Sequence, residues 1–358
     1  MGIPPIGQNP VQRQELESAA SRPGKNSTDS PASGAQNTEV FVISNPLAGA
    51  KSGQADILEL NLRLRNLGFQ PRDLHSLDAI GSTVRESLAA GKLRAVVCVG
   101  GDGTVAAVVN RTPAETPVAI LPRGTENLLA KYIRQPFDPA GVCEMIAAGH
   151  FAQLDVGRAG DKLFLLMLSA GFDADVVHRM AASRTGHITH WSWAKPIWDS
   201  LRSYKYPELR ISWRDLGQQA KSTSATAGGN VPQAAPSKDP LRWDNQTLAR
   251  WAFVLNLPCY ARGLPIAPAA IGTDGQFVIC AYDGASLYAG LKLLVHTLLG
   301  RHHRLPNCQM LKANQLRLES DHPIPYQVDG DPGGWLPVNI EIVPKRMRLV
   351  VPQHFISS

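Results

Sequence analysis

The stretch AVVCVGGDGT, residues 95–104, decides the fold of this chain. Its first five residues are all apolar, which is typical of a strand buried on both faces of a sheet. The glycine-rich segment Gly100-Gly101-Asp102-Gly103-Thr104 follows directly, and a short helical pattern then runs through residues 105–110. Because a tight turn from a buried strand into a helix is the usual connection of a parallel sheet, the stretch predicts an α/β domain.

Strand and helix patterns alternate on both sides of this stretch. Apolar runs predict buried strands at 40–44 and 117–121, and a further strand is predicted at 69–74. The intervening helices are predicted at 57–67, 82–90 and 126–133. This alternation indicates a parallel α/β nucleotide-binding domain over residues 38–150.

The pattern changes after residue 150, where strand-like runs separated by Gly- and Pro-rich turns dominate. These runs lie at 163–168, 209–213, 251–257, 276–282, 315–318 and 338–342. They predict a mostly antiparallel β domain over 151–344, interrupted by one helix at 286–299. A last strand is predicted at 347–351, and its pattern fits either domain. The fold class is therefore α/β plus β.

Two segments are too polar to bury a core of their own. Residues 1–37 are rich in Pro, Gly, Ser, Gln and Asn and contain no aromatic residue, so we predict a disordered tail. Residues 217–240 have the same character, with Val231 as their only large apolar residue. Because strand-like sequence flanks the second segment, we interpret it as a disordered loop insertion in the second domain.

Composition and charge exclude several classes of protein. Of the 358 residues, 44% are hydrophobic and 18% are charged, which excludes a wholly disordered chain. The five cysteines form no CxxC pair, which argues against a disulfide scaffold or a zinc finger and favours a reducing, cytoplasmic location. No apolar run reaches the ~18 residues of a membrane span, and the N-terminus lacks the apolar core of a signal peptide. The net charge of +6 is compatible with anionic partners.

Three loops rich in small residues follow three of the predicted strands: NPLAGAKSG at 45–53, the glycine-rich segment at 100–104, and PRGTEN at 122–127. Because ligands of parallel sheets bind at the carboxyl ends of the strands, we expect the three loops to converge there. Glycines let the backbone approach a phosphate, and a helix N-terminus donates N–H groups to an anion, so the loops predict a nucleotide site. Each loop taken alone is most simply an ordinary turn, with Thr125 and Asn127 as helix caps.

A fourth motif, Asp329-Gly330-Asp331, lies far away in the sequence. Two carboxylates that flank a glycine could supply a general base toward a hydroxyl group, or could hold Mg²⁺. The alternative is a plain Asp-Gly turn between two strands.

The order of these motifs, NPxAGxxxG, GGDGT, GTxN and a late DGD, resembles the diacylglycerol kinase catalytic family, which includes bacterial lipid kinases and is related to sphingosine and ceramide kinases. The resemblance covers roughly residues 39–352 and extends to Gly171-Phe172-Asp173. It implies an α/β domain like those of NAD kinases and diacylglycerol kinases, completed by 345–356, and a C-terminal antiparallel β-sandwich, with the active site between them. It also implies transfer of the γ-phosphoryl group of ATP to a lipid hydroxyl.

The resemblance further implies roles for individual residues. Those that would hold the nucleotide are Asn45, Gly100, Gly101, Asp102, Gly103, Thr104, Gly124, Thr125 and Asn127. Asp329 and Asp331 fall where the family places its catalytic acidic pair. A structural Mg²⁺ would use the carboxylate of Asp274 with the flanking residues Ile271 and Gln276, since oxygen ligands suit a hard cation. The implied cofactors are ATP and Mg²⁺.

This sequence departs from the family's usual pattern at several positions. Ala106 and Ala107 stand where the family has Asn and Glu after GGDGT, and Leu128 replaces an aspartate after GTxN. The usual DGE is DGD, so the side chain of Asp331 is one methylene shorter than the family's glutamate. The alternatives are an NAD kinase-like enzyme, which shares GGDGT, and a catalytically weak homologue that binds nucleotide or lipid.

The expected partners are ATP and a lipid substrate at a membrane surface, with the protein attached peripherally. The stretch 191–206 mixes Trp and Tyr with Lys and Arg, which favours a membrane interface, although a helix that packs its aromatic residues on the β domain is an equal alternative. No nucleic acid is expected, because the basic residues are scattered and no reading motif is present. The oligomeric state is left open, with a homodimer as one option.

Overall fold

The structure is a computed structural model that describes residues 37–44, 52–74, 76–183, 194–214, 243–258 and 263–357. The predicted tail up to residue 36, the predicted insertion at 217–240 and Asn45 lie outside the described residues. Most of the first small-residue loop, 45–51, also lies outside them.

The first part of the chain alternates strands and helices as predicted. Its elements are β1 (Glu39–Ser44), α1 (Ser52–Asn66), β2 (Gln70–Leu74), α2 (Ile80–Ala89), β3 (Leu93–Gly100), α3 (Asp102–Val109), β4 (Pro117–Pro122), α4 (Leu128–Tyr132) and α5 (Pro139–Ala148). The strands are parallel and lie in the order β2-β1-β3-β4.

The decisive strand β3 is buried on both faces, as its apolar run predicts. Val96 and Cys98 belong to one apolar cluster, together with residues of α3, whereas Ala95, Val97 and Val99 belong to another, together with residues of α1 and α5. Successive side chains of a strand point to opposite faces, so an unbroken apolar run is required where helices cover both.

The second part of the chain forms an antiparallel sandwich. Its elements are β5 (Phe151–Ala159), β6 (Lys162–Phe164), β7 (Met167–Ala170), α6 (Phe172–Ala182), α7 (Ala194–Ser203), β8 (Leu209–Trp213), β9 (Asn245–Ala249), β10 (Trp251–Leu255), β11 (Phe277–Tyr282), α8 (Leu287–Leu298), β12 (Cys308–Ala313), β13 (Gln315–Glu319), β14 (Pro325–Val328), β15 (Asp331–Trp335), β16 (Val338–Val350) and α9 (Gln353–Ile356). One sheet has the order β12-β11-β10-β7-β14-β15. The facing strands β16-β13-β8-β9 continue the parallel sheet of the first part, in one ten-stranded sheet of order β2-β1-β3-β4-β16-β13-β8-β9. One apolar cluster draws residues from both sheets, including Leu168, Val254 and Ile279 from the first and Leu316 and Ile340 from the second.

The strand β16 joins the two parts. Two strands were predicted, at 338–342 and 347–351, but the structure has one strand of 13 residues. Its beginning pairs antiparallel with β13, and its end pairs parallel with β4 through Leu349 and Val118. Its register with β5 shifts between Val343 and Met347, where Lys345 has a φ of 52°. The polar residues between the two apolar runs therefore mark a bulge rather than a loop.

Candidate active site

The GGDGT and GTEN loops cross in contact with each other. They follow the neighbouring parallel strands β3 and β4, whose pairing ends at Gly100 and Pro122. The backbone N–H of Arg123 donates to the carbonyl of Gly100 at 2.9 Å. A Cβ atom on Gly101 would lie 3.0 Å from the Cα of Gly124, so the backbones leave no room for side chains. The predicted convergence of these two loops is therefore observed.

Asp102 binds the second loop rather than facing solvent. Its carboxylate accepts hydrogen bonds from the backbone N–H groups of Leu128 at 2.9 Å and Leu129 at 3.0 Å. Burial raises the pKa of Asp102, while these two hydrogen bonds lower it. Asp102 therefore caps α4 from a different loop, which stabilises the positive end of that helix.

Asn127 closes the GTEN turn on itself. It has a left-handed φ of 50° and makes no cap bond to α4. Its side-chain Oδ1 accepts from the N–H of Gly124 at 2.9 Å, and its Nδ2 donates to the carbonyl of the same residue at 2.8 Å. The helix predicted from residue 126 consequently begins at Leu128, and the expected cap by Thr125 and Asn127 is replaced by Asp102.

The contact between the GGDGT and GTEN loops, which we call the crossing, has a solvent-exposed side that is open to a ligand. Gly103, in the first turn of α3, is exposed, and no atom lies within 4 Å of the position of a Cβ atom on it. Thr125 on the neighbouring loop is also exposed, whereas Gly100 and Thr104 are buried beneath. An open glycine at a helix N-terminus suits the close approach of a phosphate group, so this cradle fits the nucleotide that the motifs predict.

Arg123 belongs to the scaffold of this site. Its Nε donates to the Asp56 carboxylate at 2.5 Å, and its Nη1 donates to the carbonyls of Pro122 at 2.8 Å and Phe137 at 2.7 Å. The guanidinium thus fastens the GTEN loop to α1 and to the segment before α5. The sequence offered no signal for this pairing, because Asp56 lies in α1, 67 residues away from Arg123.

The DGD motif forms the turn of the β14–β15 hairpin. Asp329 and Gly330 have φ values of 49° and 88°, which suit a two-residue hairpin turn. The carboxylate of Asp329 accepts three backbone N–H groups, from Leu165 at 2.6 Å, Leu166 at 2.8 Å and Met167 at 3.0 Å. The turn is thereby anchored to the segment that enters β7.

The residues that Asp102 binds, at 128–129, and those that Asp329 binds, at 165–167, belong to one apolar cluster, which joins the GGDGT loop to the hairpin. The pKa of Asp329 is raised to about 6, because burial and, to a smaller extent, the charge of Asp102 raise it by more than its three backbone hydrogen bonds lower it. Motifs that are far apart in the sequence therefore share one site. Asp331, the other acidic residue of the motif, is exposed at the start of β15.

A network of polar side chains from β14, β7 and α6 stabilises the hairpin. Gln327 accepts from the N–H of Gly330 at 2.8 Å through Oε1 and donates to the Ser169 hydroxyl at 2.8 Å through Nε2. Ser169 in turn donates to the Asp173 carboxylate at 2.6 Å, in the first turn of α6. The sequence analysis singled out Asp173 but missed Gln327 and Ser169. A polar side chain inside an otherwise apolar strand was the available signal.

The predicted metal loop has a different arrangement. The Oδ1 atom of Asp274 accepts from the N–H of Gln276 at 3.1 Å, and its Oδ2 lies 3.9 Å from the Nζ of Lys312. The carbonyl of Ile271 already accepts two N–H groups, from Thr273 and Asp274. The carboxylate of Asp274 therefore lies at the outer limit of an ion pair, and the Mg²⁺ site of Ile271, Asp274 and Gln276 stays a prediction. The described residues contain no cluster of three or more His, Cys, Asp or Glu side chains suited to a metal.

Asp155, which the sequence analysis missed, anchors this loop instead. Its buried carboxylate accepts from the N–H groups of Gly275 at 2.8 Å and Lys345 at 2.7 Å, and its own N–H donates to the carbonyl of Gly272 at 2.8 Å. It thus joins the loop to β5 and to the bulge of β16. A lone acidic residue between Leu154 and Val156 was the signal in the sequence.

Comparisons with known proteins agree with this architecture. Residues 39–159 match the family model described as the diacylglycerol kinase catalytic domain, and residues 167–351 match that of the YegS C-terminal NAD kinase beta sandwich-like domain. The chain is 21% identical over 323 residues to diacylglycerol kinases of Staphylococcus aureus strains MRSA252 and bovine RF122 / ET3-1, covering 88% of this chain and 93% of each relative. The crystal structure of a diacylglycerol kinase from Bacillus anthracis str. Sterne superposes with a TM-score of 0.60 at 17% identity, covering 89% of this chain and 98% of that one.

Proposed function

Because the chain belongs to the diacylglycerol kinase catalytic-domain family, we propose that it transfers the γ-phosphoryl group of ATP to the hydroxyl group of a lipid, diacylglycerol-like or sphingoid. The observation that carries the proposal is that the residues bound by Asp102, at 128–129, and those bound by Asp329, at 165–167, pack in one apolar cluster. It supports a site in which the GGDGT loop would bind phosphate beside an acidic motif that would accept a proton. The work of such a site is positioning and electrostatic stabilisation.

The open side of the loop crossing would hold the nucleotide. The phosphates would lie against the backbone at Gly103 and the N-terminus of α3, beside the exposed Thr125. Gly100, Gly101, Gly124 and Asn127 shape this surface from beneath. Asn45 lies outside the described residues, and its contact with the nucleotide stays a prediction. Bound ATP would supply the phosphoryl group, and no step is assigned to Mg²⁺.

The two aspartates of the hairpin have different roles in this proposal. The carboxylate of Asp329 accepts three backbone N–H groups, which makes it the positioning residue. Asp331 is exposed beside it and would accept the proton of the lipid hydroxyl. As the hydroxyl oxygen bonds to the γ-phosphorus, the bond between that phosphorus and the bridging oxygen breaks, and ADP leaves with the bridging oxygen.

The substrate is tested with radiolabelled ATP and four acceptors side by side: diacylglycerol, sphingosine, ceramide and NAD. Label in a phospholipid product supports the proposal. Label only in NADP would identify an NAD kinase-like enzyme instead. Binding of ATP without turnover of any of the four would favour a homologue that binds nucleotide without catalysis.

The proton acceptor is tested by Asp331→Asn, which we expect to lower kcat at least about a hundredfold with the melting temperature unchanged. Asp331→Glu keeps a carboxylate and restores the length of the family's usual residue, so it should retain activity. Asp161→Asn is the matched control, because Asp161 is an exposed aspartate in the turn between β5 and β6. An Asp331→Asn variant as active as the control would show that Asp331 is not the proton acceptor.

A further inference from the structure

The helix α8 carries large apolar side chains on its solvent side. These side chains, which we call the apolar face of α8, are between 43% and 76% exposed: Leu287, Tyr288, Leu291, Leu294, Val295, Leu298 and Leu299. At about 100° per residue they cover an arc of roughly 140° on the helix. Contiguous exposed apolar patches of this kind mark an interaction surface.

The helix is nevertheless firmly attached through its opposite side. Only Leu293 and Thr297 of α8 are buried among the residues described. A Cβ atom on Gly290 would lie 2.9 Å from the ring of Trp251, so the helix backbone packs directly on that indole. The hydroxyl group of Tyr282 donates to the carbonyl of Ala289 at 2.8 Å, and Ser286 caps the N-terminus by accepting from the N–H of that residue. The apolar face is therefore presented by a fixed helix.

The charged residues within α8 and in the segment that follows it are of one sign. Between Asp283 and Glu319 the sequence has no acidic residue and five Lys or Arg residues. Lys292 is exposed at the edge of the apolar face, and the exposed Arg301 and Arg304 follow the end of the helix. A helix with an apolar face and a basic rim fits the interface of a bilayer with anionic headgroups.

A second helix with exposed leucines lacks this combination. In α1, Leu58 and Leu62 are 72% and 59% exposed, but Glu59 lies beside them and pairs with Arg63 at 2.8 Å. Acidic side chains next to the leucines oppose binding to an anionic surface. The comparison makes α1 an internal control for exposed leucines as such.

The apolar face of α8 is connected to the candidate active site through packed rings. The ring centroid of Trp251, on which α8 packs, lies 5.3 Å from that of Phe172, the first residue of α6. The next residue, Asp173, belongs to the network of Ser169 and Gln327 that supports the DGD hairpin. A surface that binds α8 would thus be held in a fixed relation to that hairpin.

We infer that the protein docks on anionic lipid bilayers through the apolar face of α8, with the helix lying in the headgroup region. No helix within the described ranges combines the length and hydropathy needed to cross a bilayer. In the described part of the stretch 191–206, Ile197 and Trp198 are exposed, but Tyr204 and Tyr206 pack against Phe172. This stretch therefore exposes fewer large apolar side chains than α8 does. The inference extends the proposed function by giving a lipid kinase its route to the substrate, but its evidence is independent of catalysis.

The test is sedimentation of the full-length protein with vesicles, in the absence of ATP. Vesicles of phosphatidylglycerol and phosphatidylcholine should bind the protein more tightly than vesicles of phosphatidylcholine alone. The double variant Leu291→Glu/Leu298→Glu should weaken binding to the anionic vesicles by more than about tenfold, because two large side chains lose their burial in lipid. The control Leu58→Glu/Leu62→Glu on α1 should bind as the unaltered protein does.

Two further readouts, the melting temperature and the oligomeric state, separate the explanations. Both double variants should melt at the temperature of the unaltered protein, since the substituted side chains are exposed. Unchanged binding of the α8 variant to vesicles would overturn the inference. A dimer that becomes a monomer in the α8 variant, with vesicle binding intact, would assign the apolar face to a second copy of the chain and would also overturn it. Because no step measures phosphorylation, a failure of the proposed kinase activity leaves the result readable.

Discussion

The glycine crossing of the first part and the Asp329-Gly330 hairpin of the second meet at one site but need glycine for different reasons. At the crossing, a Cβ atom on Gly101 would lie 3.0 Å from the Cα of Gly124, so two backbones occupy the space of side chains. At the hairpin, no atom lies within 4 Å of a Cβ position on Gly330, but its φ is 88°. The first glycines are required by contact and the second by backbone conformation.

The two turns also share a feature. Each has an aspartate whose carboxylate binds backbone N–H groups of another element, two for Asp102 and three for Asp329. The comparison teaches that the buried acidic residues of these motifs hold the architecture. The proposed function assigns phosphate binding and proton transfer to their exposed neighbours, Gly103 and Asp331.

The strongest way to break the crossing is Gly124→Ala. The new methyl group would overlap the backbone of Gly101, and neither backbone is free to move, so we expect a loss of unfolding free energy of about 3 kcal/mol or more. The matched control is Gly103→Ala, which adds the same methyl group to open space and should cost less than about 1 kcal/mol while weakening ATP binding. Urea unfolding measures both. Equal stability of the two variants would contradict the steric account.

Asp329→Asn tests the anchor of the hairpin. The amide group would point a donor at one of the backbone N–H groups, so we expect a cost of roughly 2–3 kcal/mol at pH 7. The pKa of Asp329 is raised from the ordinary value of 3.8 to about 6, so folding favours the protonated carboxyl group. The stabilisation that comes from this protonation is complete below pH 3.8 and is lost as the pH rises through 6. This loss amounts to roughly 3 kcal/mol.

The pH dependence of the free energy of unfolding separates the effect of the charge of Asp329 from the effect of its shape. The difference in unfolding free energy between the unaltered protein and the Asp329→Asn variant should be larger at pH 4 than at pH 7. The reason is that the asparagine side chain at this position does not ionise. Urea titrations of both proteins at several pH values provide the measurement. A difference that stays constant across this range would mean that the Asp329 pKa is not raised.

Asp102→Asn tests the corresponding anchor of the first turn. Loss of the charge weakens the cap of α4, and the amide group satisfies only one of the two N–H groups, so the expected cost is about 1–2 kcal/mol. Chemical denaturation measures it, and Asp138→Asn is a useful control, because that side chain caps α5 at an exposed site through a single bond to Gly141. A smaller cost at Asp102 than at Asp138 would count against its role between the loops.

Gly330→Ala should have the smallest effect. Its methyl group meets open space, and only the left-handed φ is unfavourable, which costs roughly 1 kcal/mol. Gly330→Asn should cost less, since Asn tolerates this conformation better. Thermal unfolding of the two variants checks the order. A loss as large as that of Gly124→Ala would mean that the hairpin turn is also closely packed.

Much of the site could be predicted from the sequence because its motifs are local. The apolar run at 95–99 predicted β3, and the glycine loops follow strands whose carboxyl ends lie side by side. The DGD motif was identified, but its anchor in segment 165–167 was not, because nothing in the periodicity of either segment encodes that pairing. The ligand set Ile271, Asp274 and Gln276 stays a prediction, and Asp155 was not recognised as the anchor of that loop.

The sequence by itself determined the alternation of buried strands and helices, the glycine turns and the antiparallel second part, because side-chain period and backbone freedom are local properties. Tertiary structure alone decided that Asp102 caps α4, that Asp329 lies within reach of the charge of Asp102, and that β16 runs through both parts. It also decided which leucines of α8 remain exposed. The sequence shows that an apolar residue favours burial, but only the packing of the fold determines which face of the helix is covered.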